Sequence, residues 1–194
     1  MIRLYRAPFS TNVERVTLAL AHKGLEAESV WIDYSDRSEV ERVSGQGLVP
    51  VIDDGGTVVN DSLAILRHLE DRHPDRPLFP ADPARRAELD VFLDWFDRVW
   101  KVAPNAIEAD PSRTAELAAV MDAHLDVFEA MLQGREHLMG DALSAADCAA
   151  YPFLKYAVWR DPEDDEAFHA ILDAHQSAEG RPALAGWIRR LSGR

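Results

Sequence analysis

The stretch Val49-Pro50-Val51-Ile52, Asp53-Asp54-Gly55-Gly56, Thr57-Val58-Val59, Asn60-Asp61-Ser62-Leu63-Ala64-Ile65 decides the fold. Two short β-branched runs flank a four-residue Asp/Gly turn, the pattern of a hairpin. The period then changes at once: Leu63, Leu66 and Leu69, with Ile65, recur at helical spacing from about Asp61 to Arg72, and Pro74 ends the run. Upstream, Ile2-Arg3-Leu4-Tyr5-Arg6 alternates with period two and stops at Pro8. Val13, Val16 and Leu20 mark a helix over 11–23 that Gly24 closes. A strand over 27–32 and a short helix over 39–43 complete the order β-α-β-(α)-β-β-α before residue 80.

Beyond it the character changes. The stretch Asp75-Arg76-Pro77-Leu78-Phe79-Pro80-Ala81-Asp82-Pro83 has the composition of a stiff connector. Helices are expected at about 84–101, 113–133, 144–157, 163–175 and 182–191. In the second of these, Leu117, Val120, Met121, His124, Leu125, Phe128, Met131 and Leu132 form one broad apolar face. The reading is therefore an α/β domain over 1–75, a linker over 76–83, and an all-helical domain over 84–194.

Composition narrows the function. The 194 residues carry 21 Lys+Arg against 34 Asp+Glu, a net charge of −13 concentrated in the helical half. Such a surface repels phosphate backbones and anionic lipids, so neither nucleic acid nor membrane is an expected partner. No run of apolar residues is long enough for a signal peptide or a membrane span. One cysteine, Cys148, excludes an intrachain disulfide. The scattered histidines are expected to be solvated, and no metal site is expected. A soluble, globular, intracellular protein fits these observations.

Four short motifs sit where chemistry is possible. Ser10, in Ser10-Thr11-Asn12, lies between a strand and a helix, where it caps the helix or donates to an anion held by the N–H groups there. A cis Val49–Pro50 bond would offer the Val49 N–H and C=O to an extended ligand backbone. Asn60-Asp61-Ser62 opens a helix; its residues cap it, or hold a carboxylate and an ammonium, both halves of an α-amino-acid head group. Ser144-Ala145-Ala146-Asp147 reads as a capping box, with Cys148 buried behind it and unreactive.

In order, these pieces resemble a cytosolic, serine-type glutathione transferase over essentially the whole chain. Leu4 to Leu20 and on to Lys23-Gly24 resembles the family's first strand, catalytic loop and first helix. Gly47-Leu48-Val49-Pro50-Val51-Ile52 resembles its cis-proline segment, and Asp61-Ser62-Leu63-Ala64-Ile65 its γ-glutamyl-binding motif. Ser144 to Asp147 resembles the capping box of its C-terminal domain. The resemblance implies a thioredoxin-like N-terminal domain, an all-α C-terminal helical bundle, and a cytoplasmic homodimer serving detoxification. It implies glutathione as cosubstrate, with Ser10 donating to its sulfur, Val49 beside Pro50 pairing with the cysteinyl unit, and Asp61 and Ser62 holding the γ-glutamyl group. A small hydrophobic electrophile would lie over Phe9 and against Phe96 and Trp100. Two positions depart from the pattern: Leu48 stands where Lys or Gln is frequent, and Asp61 where Glu or Gln is longer. A non-catalytic binding or dimerisation module of this fold is the alternative, followed by a glutathione-dependent reductase or isomerase; a reductase is disfavoured because Ser10 forms no mixed disulfide.

Overall fold

The computed structural model describes residues 1–193, and the chain divides into two compact units, Met1–Pro80 and Ala81 onward. In the first unit, strand β1 (Ile2–Arg6) leads through helix α1 (Thr11–Lys23) to β2 (Ala27–Trp31). The short helix α2 (Ser38–Ser44) is followed by the hairpin of β3 (Val51–Asp54) and β4 (Thr57–Asn60), then helix α3 (Ser62–Arg72). The strands lie in the order β2-β1-β3-β4, with β1 parallel to β2 and antiparallel to β3. This is the thioredoxin-like arrangement of the sequence reading.

Burial follows position in the sheet. The inner strands hold Leu4, Tyr5, Val51 and Ile52, each at most 2% exposed, while Glu28, Ser29 and Trp31 of edge strand β2 face solvent. Strand alternation sends Tyr5 and Val51 to one face, where Ile32 and Val40 pack with them. Helix α1 ends at Gly24, whose φ of 69° is the left-handed conformation that a Cβ disfavours, and whose N–H reaches Leu20 and Ala21 carbonyls.

A buried ion pair ties these helices together. The Lys23 Nζ donates to Glu70 Oε2 and to the His73 carbonyl, both at 2.8 Å, and the same Glu70 oxygen accepts from the Leu78 N–H at 2.9 Å. Asp75, Arg76 and Leu78, in the stretch read as connector, thus fasten to α1 and α3 within the first unit.

The second unit contains α4 (Pro83–Trp95), which runs into a π-helical turn over Phe96–Trp100, then α5 (Val102–Ala109) and α6 (Thr114–Leu132). Helices α7 (Ala145–Leu154), α8 (Ala167–His175) and α9 (Pro182–Ser192) follow. Helix α5 is absent from the sequence reading. Pro104 argues against a helix there, yet it sits at the third helical position, where a missing N–H breaks no intrahelical bond. Asp147 anchors the unit. It completes the capping box with Ser144 and also accepts from the Leu138 N–H at 3.0 Å and Trp187 Nε1 at 2.9 Å. Burial raises the Asp147 carboxyl, but nearby His137 and these hydrogen bonds outweigh it and hold the group below the usual carboxylate range.

The histidines correct an expectation. None is fully solvated: His137 and His169 are each 4% exposed, and His68 and His73 contact Asp54. Carboxylates supply the reason, since Asp147, Asp164 and Asp54 each lie within 3.4 Å of an imidazole nitrogen. No group of three or more metal-ligating side chains is found among the described residues. None of the described helices is long and apolar enough to cross a membrane.

Candidate active site at one end of the sheet

Sheet register assembles the first unit's site residues. Tyr5 pairs with Val51, and Val51 pairs with Asn60, so these three form one row across the sheet. The chain leaves this row from β1 toward Ser10, enters it from Val49–Pro50, and leaves it from β4 into Asp61–Ser62. Three segments distant in sequence thus emerge at the same end.

Ser10 is the N-cap of α1. Its φ of −60° and ψ of 111° are extended, and its Oγ accepts from the Val13 N–H at 3.3 Å. An oxygen that accepts from the backbone retains its own proton for donation. Phe9, immediately before it, has φ of 54°, a conformation uncommon for an aromatic residue that sets how the loop meets the helix. Together with Arg6, Ala7, Val13, Glu14 and Thr17 these residues line a hollow of about 250 Å³. Arg6 stacks its guanidinium 4.6 Å from the centre of the Trp31 ring. Burial lowers its pKa from the ordinary arginine value, which lies far enough above neutrality for the group to stay cationic.

The Val49–Pro50 peptide is cis, the isomer that would present Val49's backbone. Val49 packs its side chain toward the Tyr5–Val51 cluster, and its N–H and C=O meet no partner among the described residues. Gln46 fixes the preceding turn: its side chain accepts from the Leu48 N–H at 2.6 Å and donates to the Leu48 carbonyl at 2.9 Å. Leu48 itself is 68% exposed.

Asp61 caps α3. One carboxylate oxygen accepts from the Leu63 and Ala64 N–H groups at 3.1 and 3.0 Å, and its φ of 69° turns the chain from strand into helix. Ser62, the first helical residue, is buried, and its Oγ accepts from Arg15 Nη1 at 3.2 Å.

Ser10, Pro50, Asp61 and Ser62 therefore share one end of the sheet. Phe96 and Trp100 do not present a substrate wall. They are 0% and 1% exposed, stacked on each other at 4.6 Å, and packed edge-on to Phe153. Their spacing by four marks the core-facing stripe of a helix, which corrects the expectation for both residues. Sequence reasoning passed over Arg6 and Arg15. A signal existed for Arg15: it shares a face of α1 with Thr11 and Ala19, and a charge on a core-facing stripe demands a polar partner.

Two family models match the chain: "Glutathione S-transferase, N-terminal domain" over residues 4–77 and "Glutathione S-transferase, C-terminal domain" over residues 87–190. The chain belongs to the glutathione S-transferase family. Glutathione S-transferase Z1 of Arabidopsis thaliana is 28% identical over 198 residues, spanning 94% of this chain and 89% of its own length. Glutathione S-transferase Z2 of the same plant is 38% identical over 91 residues, 44% of this chain and 40% of that protein. A solved glutathione S-transferase from Rhodospirillum rubrum F11 matches with a TM-score of 0.78 at 25% identity, covering 100% of this chain and 89% of that one. The family uses glutathione, and the fold read from the sequence, a mixed four-stranded sheet unit plus an all-helical unit, is that of its members.

Proposed function

We propose that this protein is a glutathione transferase that holds the glutathione thiol as a thiolate for attack on a small hydrophobic electrophile. The observation that carries the reading is Ser10, lining a hollow at the N-terminus of α1 with its oxygen already accepting from Val13 N–H. Ser10 donates to the sulfur, and the α1 dipole adds its positive end. Lowering a thiol pKa by roughly two units requires roughly 2.7 kcal/mol, a scale that one charge-assisted hydrogen bond and a helix terminus supply together.

The surrounding residues fit the tripeptide. Val49 offers an unpaired N–H and C=O to the cysteinyl backbone, Ser62 a hydroxyl to the γ-glutamyl carboxylate, and Asp61 a carboxylate to the ammonium. Phe9 gives the electrophile an apolar contact beside Ser10. On this reading no metal takes part, and the protein works as a cytoplasmic homodimer in detoxification. A non-catalytic binding module is the second reading, favoured by Leu48, which brings no charge to the glycyl end of the ligand.

Calorimetry with glutathione and conjugation of an activated aryl halide separate the two. Binding with conjugation supports the transferase; binding without conjugation, or no heat at millimolar glutathione, supports the module.

A further inference from the structure

Arg6 closes β1 just before the loop that carries Ser10, and both residues line the hollow at the start of α1. In the β1–β2 register Arg6 stands opposite Trp31, so the two side chains leave the same face of the sheet. The guanidinium carbon lies 4.6 Å from the centre of the Trp31 ring, and Arg6 Nη1 donates to Ser29 Oγ at 3.5 Å. These two contacts hold the cation without neutralising it. Its Nε–H is buried and meets no acceptor among the described residues. A buried donor left unmet is costly, and an acceptor entering the hollow removes that cost. Phe9 offers an apolar ring to the same hollow, and Glu14 a carboxylate. A neutral electrophile would use Phe9 and leave the guanidinium unmet.

From this geometry we infer that Arg6 is a specificity-determining residue: it selects, as the electrophile, an aromatic ring bearing a carboxylate. The inference rests on the transferase reading and narrows its electrophile from a hydrophobic molecule to an aryl acid. The ring packs on Phe9, the carboxylate accepts from the Arg6 guanidinium, and the reacting carbon faces the sulfur that Ser10 holds. Glu14 repels an acid lying any other way, so the two charges fix direction as well as class. With an aryl chloride, the thiolate sulfur forms the new C–S bond and chloride leaves with the electron pair of the C–Cl bond. The thiol proton has by then gone to solvent.

The test uses the full chain with glutathione and two dinitroaryl chlorides, one bearing a carboxylate para to the chlorine and the other a carboxamide. Each kcat/KM is divided by the uncatalysed rate with glutathione at the same pH, which removes the difference in intrinsic reactivity. A hydrogen bond to a charged group contributes on the order of tenfold or more, and the parent should favour the acid by that factor. The preference should narrow with added salt and fall below about threefold in Arg6→Met. Arg6→Lys should keep part of it, since a point charge remains but the planar fork is lost. Thermal melts report which variants fold; if Arg6→Met does not, Arg6→Gln carries the same comparison. An Arg6 that serves only to pack against Trp31 would leave the acid-to-amide ratio unchanged in the neutral variants, which overturns the inference and leaves the transferase reading intact. Equal normalised rates for acid and amide in the parent overturn it in the same way. A parent that conjugates neither chloride overturns the transferase reading, and the inference falls with it.

Discussion

The Val13 N–H donates to Ser10 Oγ at 3.3 Å, so one hydroxyl both caps α1 and keeps a proton for the hollow beside it. Ser10→Ala removes both roles. Loss of the cap should lower stability by about 1 kcal/mol in chemical denaturation. Conjugation at neutral pH should fall by roughly a hundredfold, the factor equivalent to the two-unit thiol shift, while glutathione affinity changes only a few-fold. Steady-state kinetics and calorimetry on the same preparation check the split.

Lys23 and Glu70 stand apart from that chemistry. The Lys23 side chain is fully buried, and its partner carboxylate also holds the Leu78 N–H. Breaking one side of a buried pair leaves an uncompensated charge, at about 3–5 kcal/mol. Glu70→Leu should therefore destabilise the first unit strongly in urea. Lys23→Met combined with Glu70→Leu should recover much of the loss, since replacing both partners with apolar groups removes the stranded charge.

Asp54 gives a pH dependence with a definite sign. Burial raises its carboxyl, but hydrogen bonds from His68 and His73 and their charges outweigh this, so it titrates below the ordinary aspartate value. A carboxyl depressed in the folded state stabilises above its unfolded pKa, near about 4, and that stability is lost as pH falls through the folded value. Asp54→Asn should be less stable than the parent at neutral pH and should show a shallower loss as pH falls below about 4. Denaturation series at neutral pH and at acid pH measure it.

Trp100 tests the corrected aromatic assignment. Stacked on Phe96 and edge-on to Phe153, it belongs to the core of the helical unit. Trp100→Ala should cost about 3–5 kcal/mol. Across a series of aryl electrophiles, relative specificity should stay flat for whatever fraction remains folded. A large stability loss seen by thermal denaturation, with unchanged substrate ranking, is the expected pair of results.

Cys148 is 0% exposed on α7. A thiol reagent should label it slowly in the native protein and at once in denaturant. Cys148→Ala should leave conjugation unchanged, and neither form should reduce disulfides.

The sheet unit was legible because its signals are local: the Asp53–Gly56 turn, the period change at Asp61, and Gly24 at the end of α1. The Ser10, Pro50 and Asp61 segments each carry a local signal, but it is the sheet register that brings them to one end. The helical unit was read less well. Pro104 hid α5, and spacing by four could not separate a wall from a core at Phe96 and Trp100. The contacts that define Arg15, Asp54 and the buried histidines span 14 to 47 residues for the first two and are set by packing rather than by any local pattern.

Ultraviolet absorbance of the glutathione thiolate, followed against pH with the ligand bound, tests the role of Ser10 most directly. Its interpretation is clean because the single cysteine of the chain is buried. Bound glutathione should titrate roughly two units below the free thiol in the parent and return most of the way in Ser10→Ala. Identical titrations for bound and unbound glutathione, or an unchanged curve in Ser10→Ala, would contradict the role assigned to that hydroxyl.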